Sequence, residues 1–325
     1  MMTLKNLIVY TDVTANEFLK NWSYDPNTLK FWRGSSNYVY VFQFNGEKFF
    51  LRFSNEEDNS IEQITAELDF IEYLRDNHYP AIQPILSNNG KYIETVTTKR
   101  GLYFGVVFAG AKGVNLDISM MSEEQFKNWG KALGSLHALS NSYKPKKFVR
   151  KNWNDKLLFI EEILRDSPEE ESVQEEIERV RDWLNNLPVS VNNFGLVHYD
   201  FELDNIFWAE SERHFHVIDF DDSMYHWYIV DIAFALRDLD ELDEAEANVS
   251  LKAFLDGYCS AYDVKEDIIT LLPRFRRFIN LFSYAKITRS LKDSDFVEEP
   301  DWLKKLRPKL YRWCDKLREG FKKPF

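Results

Sequence analysis

Cysteine is nearly absent from the 325 residues: Cys259 and Cys314 are the only two. Two thiols cannot staple a disulfide framework, so this is no small secreted scaffold, and both read as core or near-surface thiols of a reducing compartment. Long apolar runs are missing too. The early run LIVY (Leu7 to Tyr10) has four residues, short of the core of a secretory signal, and nothing approaches the roughly 20 residues of a membrane span. Positive charge is in deficit, with 41 Lys and Arg against 53 Asp and Glu, a formal net charge of −12. Such a surface repels nucleic acid and anionic lipid, which excludes both as partners and leaves a cationic ligand open. Internal repeats and low-complexity tracts are also lacking. What remains abundant is core material, 44% hydrophobic and 16% aromatic residues, enough for two domains or one large bilobal unit. The expected location is cytoplasmic, and the expected state a monomer or homodimer.

The chain divides by pattern. NYVYVFQF and KFFLRF alternate around Asn45-Gly46, a strong hairpin signal. SIEQITAELDFIEYLRDN follows, with Ile61, Ile64, Leu68, Ile71 and Leu74 at helical spacing, Ser60 as N-cap and Gln63 three residues on. KYIETV and LYFGVVF flank TTKRG as a second hairpin. Residues 1–110 therefore read as a small β-rich lobe, and 111–325 as a larger, mostly helical one. A helix capped by Ser122 covers 122–140, helices fill 152–186, and the region from Ile229 to Phe325 is helical with breaks expected near Pro273, Pro300 and Pro308. The last helix shows Trp302, Leu306, Leu310, Trp313, Leu317 and Phe321 as one stripe.

One β signal interrupts the helical half: VHYDFELDNIFWAESERHFHVIDFDDS, Val197 to Ser223. IFWA and FHVI predict two strands joined by a turn at 210–213. Antiparallel pairing brings the start of the first strand beside the end of the second, and so Asn205 beside Asp219. Their oxygens suit a hard cation such as Mg2+, which takes few protein ligands and completes its shell with phosphate. Asp200, on the loop leading in, can accept a hydrogen bond from a hydroxyl and aim it. Carboxylates this crowded repel one another unless a cation or donors compensate.

These residues carry a resemblance. His198, Asp200 and Asn205, followed by Ile218, Asp219, Phe220 and Asp221, resemble the paired motifs of the aminoglycoside phosphotransferase and choline kinase-like family, relatives of the protein kinases. The resemblance implies an α+β, bilobal protein-kinase-like fold with a catalytic β-hairpin inserted in the helical lobe. It implies ATP (or GTP) and Mg2+ as cofactors and a small hydroxyl-bearing substrate. Asp200 would be the catalytic acid-base residue, with His198 bracing its loop. Asn205 and Asp219 would hold metal, and Asp221 would lie in the metal's outer shell or contact a second ion. Gly34, Ser35 and Ser36 stand where a loop should cover the triphosphate. Arg52 stands at the usual phosphate-binding lysine position, with Glu67, or failing it Glu62, as its partner. The backbone from Phe108 to Gly110 would meet the base. The catalytic loop departs from the family pattern at Tyr199 and at Leu203-Asp204. His137 is expected to pack structurally, and Asp231 to tie down the catalytic loop.

The acceptor side is less defined. Glu202, Asp204 and the acidic run from Asp238 to Glu246 could line a cleft for a polycation, or form a solvated face. Tyr225 and Trp227 could wall the acceptor pocket or pack in the core. Two other functions fit parts of the chain. VIDFDDS also matches the nucleophile strand of haloacid dehalogenase-type phosphatases, which requires a parallel sheet. Arg52 and the glycine-poor loop would suit a nucleotide-binding, pseudokinase-like scaffold.

Overall fold

The computed structural model describes residues 12–34, 36–165, 171–263, 266–292 and 301–325. The first part is a sheet with a helix on each face. Helix α1 (Asp12–Leu19) is followed by β1 (Lys30–Gly34), β2 (Tyr38–Phe44), β3 (Glu47–Asn55), helix α2 (Ile61–Asp76), β4 (Pro84–Ile85), β5 (Glu94–Thr98) and β6 (Gly101–Ala109). The strand order is β1-β2-β3-β6-β4, with β5 also on β6, and all pairings are antiparallel. Asn45 and Gly46 both take positive φ (53° and 81°), as a tight two-residue hairpin turn requires. Ser60 caps α2 by accepting from the Gln63 N–H.

Alternation along the strands decides which side chains face which layer. Leu51, Phe53, Tyr103 and Val107 pack with Ala15, Phe18 and Leu19 of α1 in a small core of their own. Phe104, Val106 and Phe108 turn to the other face and join the main core. Arg52, between Leu51 and Phe53, points to that second face, which is the cleft face. Helix α1 escapes sequence patterning because it is short and weakly amphipathic.

The second part is helical apart from two small sheets. Helix α3 (Glu123–Ser142) begins in a Ser122/Gln125 capping box. Helices α4 (Trp153–Leu164) and α5 (Glu171–Asn186) lead to β7 (Phe194–Val197) and the hairpin β8 (Ile206–Ala209) and β9 (His214–Val217). β10 (Met224–Trp227) then returns antiparallel to β7. Helices α6 (Ile229–Ala235), α7 (Glu244–Ala261), α8 (Leu272–Lys292) and α9 (Asp301–Phe321) close the fold. None of the described helices is long and apolar enough to cross a membrane.

Three expectations need correcting. β10 had no alternation to betray it, because it is buried on both sides. Pro308 does not break α9 but sits inside it; the break expected near Pro273 is present, since α8 begins at Leu272 and places Pro273 in its first turn, where a missing N–H costs nothing. The buried stripe of α9 is Leu303, Cys314, Leu317 and Phe321, with Leu306 and Leu310 half-buried. Trp313 is 51% exposed. Pro300, the LIVY run and the Trp302 side chain lie outside what is described.

Candidate active site

The site is assembled on the β8–β9 hairpin and the loops at its base. The pairing Ile206 to Val217 continues one step further, with the Ile218 N–H donating to the Asn205 carbonyl at 2.9 Å. Asn205 and Asp219 are thereby neighbours across the strand ends, as the hairpin argument expects. Asp219 sits in the left-handed region at φ 63°, which turns the chain out of the strand and into the cleft between sheet and helices.

Asp200 is held by the same amide. Asn205 Nδ2 donates to the Asp200 carbonyl at 2.9 Å and to its Oδ2 at 2.8 Å. The other end of that amide, Asn205 Oδ1, is buried with no donor among the described residues. A buried carbonyl oxygen without a partner is costly, and its residue pairs through the backbone with Ile218, the neighbour of Asp219. Burial, then Asp222 and Asp219, push the Asp200 carboxyl up to about 6, against Lys286 and the Asn205 bond. Burial likewise raises Asp219, although Arg52 and Arg33 oppose it.

The loop geometry is set from below by Asp231, on α6. Its two oxygens accept the backbone N–H groups of His198 and Tyr199, each at 2.7 Å. Tyr199 is held at φ 67°. His137 Nε2 lies 3.1 Å from Asp231 and its Nδ1 accepts from Tyr258 at 2.7 Å, so this histidine is a fully buried strut, as expected. His198 braces the loop in the same way: Nε2 donates to the Ile218 carbonyl at 2.8 Å and Nδ1 accepts from the Asp200 N–H at 3.3 Å. Burial lowers the pKa of both rings and keeps them neutral.

Across the cleft, Arg52 and Glu67 form a buried bidentate pair at 2.8 and 2.6 Å. Glu62 is the alternative that does not take part. Burial disfavours the charge on Arg52, but Glu67, Asp221 and Asp219 outweigh it and the guanidinium stays charged. It lies 3.9 Å from both Asp219 and Asp221 and over the Phe108 ring, 5.0 Å from its centroid. Gly34 ends β1, and Ser36 lines a cavity of about 330 Å³ together with Asn37, Lys156, Asp222 and Lys286. Ser35 lies outside the described residues.

Several side chains that sequence reasoning passed over complete the site. Arg33 reaches from β1 to Asp219 Oδ2 at 2.5 Å. Asn37 and Asn59 donate to the two oxygens of Asp221 at 2.7 and 3.1 Å. Arg150 donates to the backbone carbonyls of Ser223, Gln63 and Asp221. Lys156 pairs with Asp222 at 3.2 Å. Burial alone would raise Asp222, yet Lys156 and Lys286 hold it well below the usual carboxylate range. None of these has a local motif; their spacings of 66 to 186 residues exist only in the fold.

Both Asp221 oxygens accept from amides, those of Asn37 and Asn59, which tie it to the sheet half. Three expectations change accordingly. The Gly110 N–H is committed to the Lys48 carbonyl at 2.9 Å, so this donor does not meet a base. Trp227 is 2% exposed and packs on Trp153, Phe194 and Phe275, so it is core and not pocket wall. Tyr225 is half-buried on the Asp69 side of α2. On the acceptor side, Glu202 is ion-paired with Arg237 at 2.7 Å, and burial and Asp200 push its carboxyl up to about 7. Asp204 is exposed, and the acidic run is partly spent, with Asp243 capping α7 and Asp240 facing Arg276.

A family profile described as APH, phosphotransferase enzyme family, matches residues 28–267. The chain belongs to this family. Among curated proteins, this phosphotransferase is 25% identical to the amicoumacin kinase of Bacillus subtilis (strain 168) over 303 residues, covering 90% of this chain and 89% of that one. Among solved structures, an amicoumacin kinase in complex with AMP-PNP, Ca2+ and Ami superposes with a TM-score of 0.82 at 20% identity, covering 98% and 96% of the two chains. A microcompartment-associated aminopropanol kinase gives 0.74 at 19% identity, with 95% of each chain covered. A choline kinase from Streptococcus pneumoniae gives 0.62 at 12% identity, with 95% and 98% covered. The kinase-like fold and small-molecule phosphotransferase activity follow. The phosphatase reading falls, since Asp219 ends an antiparallel two-stranded hairpin and no parallel sheet surrounds it among the described residues.

Proposed function

We propose that this phosphotransferase moves the γ-phosphoryl group of ATP or GTP, in a Mg2+-dependent reaction, to a hydroxyl of a small molecule. Residues 1–110 would bind the nucleotide, and residues 111–325 would carry catalysis and hold the acceptor. The observation that carries this reading is the Asn205 amide. Its nitrogen is spent on Asp200, and its buried oxygen is left for a cation beside Asp219.

Asn205 and Asp219 fit a hard divalent ion, which when bound neutralises phosphate charge. Phosphoryl transfer needs alignment and charge compensation more than covalent help. Asp200 accepts the hydrogen bond of the acceptor hydroxyl and aims its oxygen. Arg52, fixed by Glu67, offers a planar pair of donors to phosphate oxygens. Gly34 and Ser36 cover the phosphates, and Phe108 walls the base. His198 and Asp231 keep the Asp200 loop in place without touching substrate. Asp204, exposed at the catalytic loop, supplies negative charge near the acceptor, which suits an amine-bearing alcohol, while Glu202 is already paired with Arg237.

The test is ADP release with Mg2+ across a panel led by amicoumacin, aminopropanol, spectinomycin and choline. We expect turnover with at least one acceptor, abolished in Asp200→Asn and in Asp219→Ala. Mg2+-dependent turnover retained by Asp219→Ala would contradict the metal assignment. Tight nucleotide binding with no transfer to any acceptor, and no slow transfer to water, would favour the scaffold instead.

A further inference from the structure

The far end of the β8–β9 hairpin holds a second cluster that phosphoryl transfer does not use. The turn at 210–213 closes with Arg213 at φ 53°. Beyond it, strand alternation puts His214 and His216 on one face while Phe215 faces the core. Glu212 rises from the turn onto that same face. Its Oε2 lies 3.0 Å from His214 Nε2 and 3.1 Å from His216 Nε2. One donor atom from each of the three residues falls within 4.8 Å of the other two. The rings are 42% and 17% exposed, so a solute reaches them. The other carboxylate oxygen, Oε1, is fixed by Lys112 at 3.2 Å.

We propose that Glu212, His214 and His216 form a binding site for a divalent transition-metal ion of the zinc class. Zinc binds imidazole nitrogen and carboxylate oxygen at about 2.0–2.2 Å. Tetrahedral donors at that range stand about 3.4 Å apart, so the two Glu212–histidine separations need only a few tenths of an ångström of relaxation, while the two imidazole nitrogens lie within 4.8 Å of each other. Two imidazoles and one carboxylate leave a position for water. Lys112 on Oε1 steadies the carboxylate from the outside, as outer partners of metal ligands do. The donor set selects against Mg2+ and Ca2+, which want oxygen throughout. His216, the nearest member of the cluster, precedes Asp219 by three residues of extended chain, about 10 Å, so the two cation sites are distinct. A bound ion would pin the turn to the second strand. The proposal does not rest on the kinase reading.

The experiment is a titration of tag-free full-length protein with Zn2+ in competition with a zinc indicator, in millimolar Mg2+ and without nucleotide. Wild type should bind one equivalent with micromolar affinity and gain a few degrees in melting midpoint with excess zinc. His214→Ala/His216→Ala should lose at least about tenfold in affinity and the thermal shift, while keeping the wild-type circular dichroism and its zinc-free melting midpoint. Asp219→Ala should bind zinc as wild type does. Zinc binding of equal strength in the double histidine variant, no binding in wild type, or loss only in Asp219→Ala would each overturn the site.

Discussion

Asp200 works against the stability of its own fold. Its carboxyl titrates near 6 against an ordinary value of 3.8, so the ionised form is disfavoured in the folded state. The sign is that of a raised acid: nothing is lost below the unfolded pKa, the cost grows from about pH 4 to 6, and it is complete above 6. Asp200→Asn keeps an oxygen for the Asn205 amide and removes the charge. It should abolish transfer yet raise unfolding free energy at pH 8 by on the order of 1–3 kcal/mol, with the gain vanishing near pH 3.5. Urea titrations at both pH values read this directly, and equal stability of the two proteins at pH 8 would refute it. If Asp200 is the orienting base, kcat/KM for nucleotide should fall as pH drops through about 6. Glu67 is raised by burial as well, but it faces a directly paired cation, Arg52, which opposes the shift. Glu67→Ala leaves Arg52 buried and unpaired and should cost about 3–5 kcal/mol, whereas Arg52→Met/Glu67→Leu should recover most of that stability while losing activity.

At the scale of elements, α6 controls the catalytic loop without touching its chemistry. Asp231 collects two N–H groups that Tyr199, at positive φ, could not otherwise direct. Asp231→Ala should lower kcat by about a hundredfold through misplacement of Asp200 and leave the nucleotide Kd within a few-fold, measured by titration against steady-state kinetics. A loss confined to nucleotide affinity would assign Asp231 elsewhere. Helices α3 and α7 meet more closely than side chains allow. A Cβ on Gly130 would overlap the Phe254 carbonyl, and one on Gly257 the Lys127 carbonyl. Gly130→Ala should therefore destabilise by about 1–3 kcal/mol or more, although alanine is the better helix former; a neutral or raised melting midpoint would refute so tight a contact.

Across the whole molecule, the sheet half and the helical half are tied through the turn after β9. Arg33 takes Asp219, Asn37 and Asn59 take Asp221, and Arg150 gathers carbonyls from α2 and from that turn. Arg33 thus competes with any cation for Asp219. Arg33→Ala should tighten nucleotide-free Mg2+ binding several-fold by calorimetry, because one oxygen no longer has to exchange a guanidinium for the ion; unchanged affinity would show that the pairing is not coupled to the metal site.

The sequence by itself determined what depends on neighbours along the chain. The Asn45-Gly46 turn, the Ser60 and Ser122 caps and the 210–213 turn are local, as is the approach of Asn205 to Asp219, because a four-residue antiparallel pairing follows from alternation and turn length. The Arg52–Glu67 pair was legible as well, one strand and one helix apart. Tertiary structure alone decided the rest. β10 is buried on both faces and carries no period, and Trp227 is aromatic whether it lines a pocket or fills a core. The commitment of Asp221 to amides 184 and 162 residues away has no trace in its own neighbourhood. Charge compensation is set by distance in space, and only packing assigns each carboxylate its cation, its amide or the open oxygen of Asn205.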